Sequence, residues 1–463
     1  LKVIGITFLV LILLSWVIPA GIFSNGAYSS SEAISPIGLY DIFSAPAVAF
    51  ASFVQYGILF LTIGGFYGIL NKTGVYTKIV EGIIKKWKNN SNKFLIISII
   101  TFALLSSIIG INNVIFILVP FFITILLKLG YNKMTAFAAT VGAMLVGSLG
   151  TTFGFGIWGY IRMGFGLKMT EIILVRIILL VIITTLFILL VKKNSQIEKN
   201  AKNTKTENLD IPLYEESNSK RDYFPLALVL GITLFILVLG TYNWESAFSI
   251  DFFTKLYESV TTVEIAGLPI LDYILGSVSK IGYWGDYDII VTLIISSLII
   301  GWLYSIKLSD IISSFVDGAK QMVVPAIYSM LASIILVVVS NLGANFVFTL
   351  VNTFTAGTEQ FTFIGTVGSA LVTSAVYNNF YVLIGNFYQV FSLYDANVIP
   401  AIAFIFQTIY GIVMLIAPTS MLLLVGLTYL RIPYQEWVKY IWKFLLIVLG
   451  IVIIISFIIA TFI

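Results

Sequence analysis

The chain has 463 residues, 59% of them hydrophobic and only 10% charged, with a mean hydropathy of +1.03. Soluble chains carry about 25% charged residues, so a water-soluble globule is excluded. The 26 basic and 22 acidic side chains leave a net charge of +4, too small and too scattered for a nucleic-acid binder. With neither Cys nor His, the chain also lacks disulfides, thiolate nucleophiles, Cys/His metal sites and His-based triads.

A spanning helix takes about 20 apolar residues, so the chain has room for roughly ten. The apolar runs are continuous rather than alternating, which excludes an outer-membrane barrel. In chain order they fall near 3–22, 47–70, 94–110, 114–127, 135–150, 172–191, 224–240, 289–306, 322–351, 361–373, 380–392, 396–417 and 438–462. The first run, followed by Pro19-Ala20-Gly21, mimics a signal peptide but reads here as a retained span. The division expected is a first membrane repeat (1–191), a cytoplasmic linker (192–222), an extra span with an external segment (223–288) and a second, inverted membrane repeat (289–463).

Loop charge orients these runs. The stretch Lys192–Asp222 carries seven basic residues, 241–288 sets two Lys against seven acids, and 23–46 has no Lys or Arg. Basic residues gather in cytoplasmic loops, which puts 192–222 inside with 23–46 and 241–288 outside. The N-terminus is then cytoplasmic and the C-terminus external, in the cytoplasmic membrane.

Runs 94–110 and 114–127 are only about 14–17 residues long, short for a comfortable span. They meet at Gly110-Ile111-Asn112-Asn113 and read as a re-entrant hairpin from the cytoplasm; two short spans with an external turn would give the same loop charges. Runs 361–373 and 380–392 repeat the design from the other side, around Tyr377-Asn378-Asn379. After each Asn-Asn tip comes a helix broken by small residues, Gly150-Thr151-Thr152 and Pro418-Thr419-Ser420. Asn112 and Thr151 are 39 residues apart, Asn378 and Thr419 41. Two opposed hairpins, each followed by an interrupted helix, form the inverted-repeat pattern of secondary transporters. The fold class expected is therefore an all-α polytopic membrane protein with two inverted repeats, a scaffold and a transport domain.

Broken helices present N-termini that attract anions and C-terminal carbonyls that attract cations, while Asn, Thr and Ser add neutral donors and acceptors. The expected substrate site lies between Asn112, Asn113, Thr151, Thr152, Asn378, Asn379, Thr419 and Ser420. The alternative is that these groups only join helices to one another. From Gln321 to Leu430 the only acidic or basic side chains are Glu359 and Asp395. There is no intramembrane carboxylate pair or ladder for acid–base work, so neither an enzyme nor a carboxylate-based proton pump is expected. Arg162 and Arg176 are candidates for a substrate carboxylate, with snorkelling to the interface the plainer reading. Gly64, Gly65 and Gly68 read as a close helix contact.

Ile18-Pro19-Ala20-Gly21, the segment from Gly64 to Gly74, and Pro418-Thr419-Ser420 followed by Arg431-Ile432-Pro433-Tyr434-Gln435-Glu436-Trp437 resemble the YfcC-type transporters. These form part of the anaerobic C4-dicarboxylate carrier-like group of the ion transporter superfamily. The resemblance spans nearly the whole chain. It implies an elevator-like carrier of a small charged organic solute, with no cofactor and a homodimeric state as the analogy. The first reading is a basic amino acid antiporter of the arginine–ornithine type. The alternatives are a C4-dicarboxylate carrier, with Na⁺ as a coupling ion, and a passive channel. The resemblance also implies acids at the first tip, where this chain has Gly110-Ile111-Asn112-Asn113. It implies an Arg in the helix at 322–340, where this chain has Ser329-Met330-Leu331-Ala332-Ser333, and an Asn-Pro motif where Phe153-Gly154-Phe155-Gly156 stands.

Overall fold

The structure is a computed structural model that describes residues 2–24, 27–30, 34, 36–110, 112–168, 170–195, 211–265, 267–341, 346–355, 361–391 and 394–462. Lys199, Lys202 and Lys205 of the linker, Ile111 of the first tip, and Glu359 lie outside the described residues.

The chain is an all-α polytopic membrane protein apart from one small hairpin. Helix α1 (Lys2–Ser15) leads into β1 (Gly21–Ser24) and β2 (Ala27–Ser30), paired antiparallel with Gly21 opposite Ser30. Helix α2 (Leu39–Lys72) is 34 residues long and departs from helical geometry at Phe53. A single 3₁₀ turn joins α3 (Tyr76–Trp87) to α4 (Ser91–Ile109), so the first arm of the first hairpin belongs to a 34-residue apolar stretch. That arm is not short, as the run length had suggested. The amphipathic α3 carries Lys78, Lys85 and Lys86 and so dilutes the hydropathy that marks a span. The returning arm is broken into α5 (Asn112–Phe116) and α6 (Val119–Lys128), where Pro120 near the start of α6 has no N–H to continue a ladder. Tyr67 Oη donates to the freed carbonyl of Ile117 at 2.7 Å.

Next come α7 (Lys133–Phe137), a π-turn at Ala138–Gly142, α8 (Ala143–Leu149), α9 (Ile157–Phe165) and α10 (Ile173–Asn194). The break between α8 and α9 falls at the expected Gly150-Thr151-Thr152. The described end of the linker, 211–221, lies against the bundle, with Ile211 and Leu213 buried. Asn71 Nδ2 donates to Leu213 O at 3.2 Å, and Tyr429 Oη to Pro212 O at 2.9 Å.

Helix α11 (Phe224–Thr241) is followed by three short helices without buried residues, α12 (Trp244–Phe248), α13 (Phe252–Thr261) and α14 (Ile270–Leu275), and then by α15 (Asp286–Leu303). Helices α16 (Leu308–Gln321) and α17 (Val323–Leu331) meet at a bend of 53°. The run 322–351, expected as one span, is instead α17, α18 (Ile334–Asn341) and α19 (Phe346–Thr355), with a break at Ala332–Ser333. The second hairpin is α20 (Phe363–Val376) and α21 (Phe380–Phe391). It is followed by α22 (Ile399–Met414), a break at 415–420, α23 (Met421–Leu430) and α24 (Tyr434–Phe462). Among the described residues seven helices are long and apolar enough to cross a bilayer, eight if the bent pair is one span.

Two bodies of packing position the site. Helix α2 lies along α15, α16 and α17, while α4, α8, α20, α22 and α23 form an inner bundle that α17 joins. The α2–α16 seam is backbone on backbone, as the glycine run predicts: a Cβ on Gly64 would sit 2.6 Å from Gly318 O, and one on Gly68 would collide with Ser314 O. Helix α22 is buried on nearly every face, which fits its apolar composition all round.

Candidate functional site

The first tip is built from a helix end that only glycine closes easily. Gly110 caps α4 in the left-handed conformation, φ 74°, and a Cβ there would meet the backbone of Phe155. The chain turns back at once, and Asn112 opens α5. Its Oδ1 accepts from Ser106 Oγ at 2.6 Å and its Nδ2 donates to Ser148 Oγ at 2.8 Å, while the two serines lie 2.9 Å apart. Asn113 Nδ2 donates to Asp286 Oδ1 at 2.8 Å.

The helix break behind this tip is pinned to it. Ser107 Oγ donates to Gly150 O at 2.7 Å and lies 3.0 Å from Thr152 Oγ1, while the N–H groups of Thr152 and Gly154 donate to Ser107 O at 3.0 and 2.9 Å. The far half of the molecule holds the other side of the break. Gln407 Nε2 donates to Ser148 O at 2.8 Å, and Gln407 Oε1 accepts from Trp158 N, in the first turn of α9, at 3.1 Å. One amide on α22 thus satisfies both loose ends of an interrupted helix.

The second tip is held more lightly. Asn378 Nδ2 reaches Ser333 Oγ at 3.2 Å and Asn379 Nδ2 reaches Tyr56 Oη at 3.5 Å, the outer limit of a hydrogen bond. Asn379 Oδ1 accepts from Tyr381 N at 2.9 Å, and Tyr410 Oη donates to Asn378 O at 2.7 Å. Asn378 Oδ1 is buried with no hydrogen-bond partner among the described residues. Aromatic rings join the two halves here, with Tyr381 5.5 Å from Tyr160 and 6.0 Å from Phe155 between ring centres.

These parts enclose a cavity of about 310 Å³. Six of the eight expected residues line it: Asn112, Asn113, Thr151, Asn378, Asn379 and Ser420. Thr152 and Thr419 do not. Thr152 turns to Ser107 and fastens the break, and Thr419 is fully buried behind Ser420 with Oγ1 unpartnered among the described residues. Tyr56, Ser148, Asp286, Ser333, Gln407 and Tyr410 line the cavity without having been expected. Gln407 is a lone amide in an apolar run and Asp286 the last acid but one before a span; both are visible in the sequence, but only the fold brings them here.

The starts of α9, α21 and α23 all line the cavity, through Ile157, Phe380 and Met421. The start of α15 lines it too, through Asp286. First-turn N–H groups have no acceptor within their own helix, so these starts bring positive partial charge to the wall, although Gln407 Oε1 already accepts from Trp158 N and Asn379 Oδ1 from Tyr381 N. Asp286 is the one charged side chain among the described residues that line it. Arg176 does not snorkel: only 2% exposed, it stacks on Trp158 at 4.3 Å. It sits in a small space behind the wall that it shares with Thr151 and Gln407. Arg162 is drawn away, donating to Ser246 O at 2.9 Å and also to Ser246 Oγ.

A cavity at the meeting of two hairpin tips and two helix breaks, in a chain of membrane-spanning helices, is the architecture of a carrier. The family profile described as C4-dicarboxylate anaerobic carrier, DcuC, matches residues 1–461. The chain belongs to this family. It is a membrane transporter of small molecules and not an enzyme. No curated protein matches the chain significantly. Among solved structures the carrier is similar to the Alcanivorax borkumensis YdaH transporter, at 14% identity and a TM-score of 0.43 over 98% of this chain and 96% of that one.

The carboxylate that the family resemblance leads one to expect at the first tip is missing from the tip itself. Asp286, at the first turn of α15, supplies one through its bond to Asn113. Among the described residues no Arg lines the cavity in place of the one implied for 322–340; Ser333 lines it there.

Proposed function

We propose that the protein is a secondary carrier of a C4-dicarboxylate in the cytoplasmic membrane, with its N-terminus inside and C-terminus outside. The observation that carries this reading is the convergence of four helix N-termini, those of α9, α15, α21 and α23, on one cavity, in a chain of the dicarboxylate carrier family. One substrate carboxylate is held at the start of α23, or at that of α9, where Arg176 stacks on Trp158 one layer behind. The tips Asn112–Asn113 and Asn378–Asn379 flank the substrate from the two halves. Movement of the inner bundle along α2 then exposes it to each side in turn, an elevator-like shift.

A second reading, exchange of basic amino acids, is favoured by one observation only: among the described residues the sole charged group on the wall is a carboxylate, which suits a cationic end. The family counts against it as the first choice. Purified protein in liposomes separates the two. Labelled succinate uptake, with no arginine entry into ornithine-loaded vesicles, is the expected result. Arginine entry that requires internal ornithine, without succinate uptake, would replace the reading with the antiporter. A Na⁺ requirement for succinate entry would define symport, and conductance without saturation would define a channel.

A further inference from the structure

The cavity wall carries one charge among its described residues, the carboxylate of Asp286, which stands half-buried in the first turn of α15 with Oδ1 engaged by Asn113 at 2.8 Å; Arg176 lies behind the wall, stacked on Trp158 of α9. No Lys or Arg among the described residues faces Asp286. From α2 the titratable neighbour is Tyr56 and from α21 it is Tyr381, both phenols. Helix α11 has no ionisable side chain along its length, and α16 meets α15 at the far end, where Gly301 faces Ile311. Asp288, on the same turn of α15, is turned to Ser279 Oγ and Gly285 N.

A fully ionised dicarboxylate in this cavity would share it with the Asp286 carboxylate, with no Lys or Arg among the described lining residues to part them. Two carboxylates in one low-dielectric site do not both stay ionised; they share a proton. We infer that Asp286 makes the carrier select the singly protonated dicarboxylate, so that each substrate crosses with one proton held between its own carboxyl group and Asp286. This rests on the dicarboxylate reading above. No covalent bond to carbon forms or breaks. The proton arrives on the monoanion and leaves with it, so net proton symport needs no relay of buried acids. The pair titrates as a unit.

Labelled succinate uptake into liposomes, measured from pH 5 to 8, tests the inference. In the wild type the apparent KM for total succinate should rise about tenfold per pH unit above the second pKa of the substrate, following the monoanion. Phenols, which ionise near pH 10 even in water, stay neutral over this range. In Asp286→Asn the slope should flatten, since an amide neither repels the dianion nor shares its proton. Monomethyl succinate, which has no second acidic proton, should compete with a pH-independent constant in the wild type, a readout that needs no variant to fold. Succinate-driven acidification of pyranine-loaded vesicles should vanish in Asp286→Asn while residual uptake continues. Succinate uptake with a pH-flat KM in the wild type, or a slope that persists in Asp286→Asn, would overturn the inference alone. No succinate uptake at any pH, with arginine exchange instead, would overturn the dicarboxylate reading and this inference with it.

Discussion

The two Asn-Asn tips share a sequence motif and differ in how completely their polar groups are satisfied. At the first, Asn112 and Asn113 make three side-chain bonds of 2.6–2.8 Å to Ser106, Ser148 and Asp286. At the second, the two Nδ2 donors reach their partners only at 3.2 and 3.5 Å, and Asn378 Oδ1 has none among the described residues. A buried polar group without a partner costs about 1–3 kcal/mol, so the second tip is poised to take a ligand or a new neighbour. The first tip is a finished wall. Internal repetition therefore does not imply that the two halves do the same work: on the reading proposed above, the first tip fixes the shape of the cavity and the second changes partners when it fills.

The most direct way to break this contrast is to truncate the second tip. Asn378→Ala removes only one long bond in the empty carrier but a contact to the bound substrate. We expect the apparent affinity for succinate to fall about 10–100-fold, the range of a hydrogen bond to a charged group, while thermal unfolding in detergent barely moves. A large drop in thermal stability with unchanged affinity would reverse the roles assigned to the tips. Because the native chain has no Cys, single thiols at 112 and 378 give a parallel readout. The thiol replacing Asn378 should be the one that substrate protects from labelling.

Asn112→Ala should show the opposite balance. It leaves Ser106 and Ser148 without their amide partner and loosens the contact between α4 and α8. The expected cost is about 1–3 kcal/mol of stability, read as a lower unfolding temperature, with a smaller change in affinity than Asn378→Ala gives. Ser148→Ala should resemble it, since the same hydroxyl serves both Asn112 and Ser106.

The tips and breaks were legible because their signals are local: paired amides between short apolar arms, then Gly-Thr-Thr or Pro-Thr-Ser inside an apolar run. Which side chains of a break face the cavity was not legible. Thr151 and Thr152 are neighbours in a non-helical stretch, where backbone angles rather than a helical period decide direction, and they point to different partners. The break at Ala332–Ser333 was hidden because Ile334–Val339 continues without a polar residue, so hydropathy gives one unbroken run. Asp286 and Gln407 reach the site through tertiary packing alone. Asp286 belongs to an acidic stretch that loop charge places outside, and nothing in its spacing ties it to Asn113.

Tyr410→Phe probes the contrast most finely. The hydroxyl donates to Asn378 O at 2.7 Å and is the shortest polar tie between the second tip and the helix beneath it. Its loss should cost about 0.5–1.5 kcal/mol, a single net hydrogen bond, with no cavity because the ring remains. If the second tip is the part that changes partners, the cost falls mainly on the empty, closed state. Substrate-protected labelling of a thiol at 378 should then become faster in the absence of substrate, and the apparent affinity should change by less than about tenfold. The matching change on the other side, Tyr67→Phe, removes a bond of the same length to Ile117 O in the returning arm of the first hairpin. It should leave labelling at 112 unaltered, because Asn112 keeps its bonds to Ser106 and Ser148. Equal responses at 112 and 378 to these two changes would mean that the hairpins move alike, and the asymmetry in their hydrogen bonds would then have no counterpart in transport.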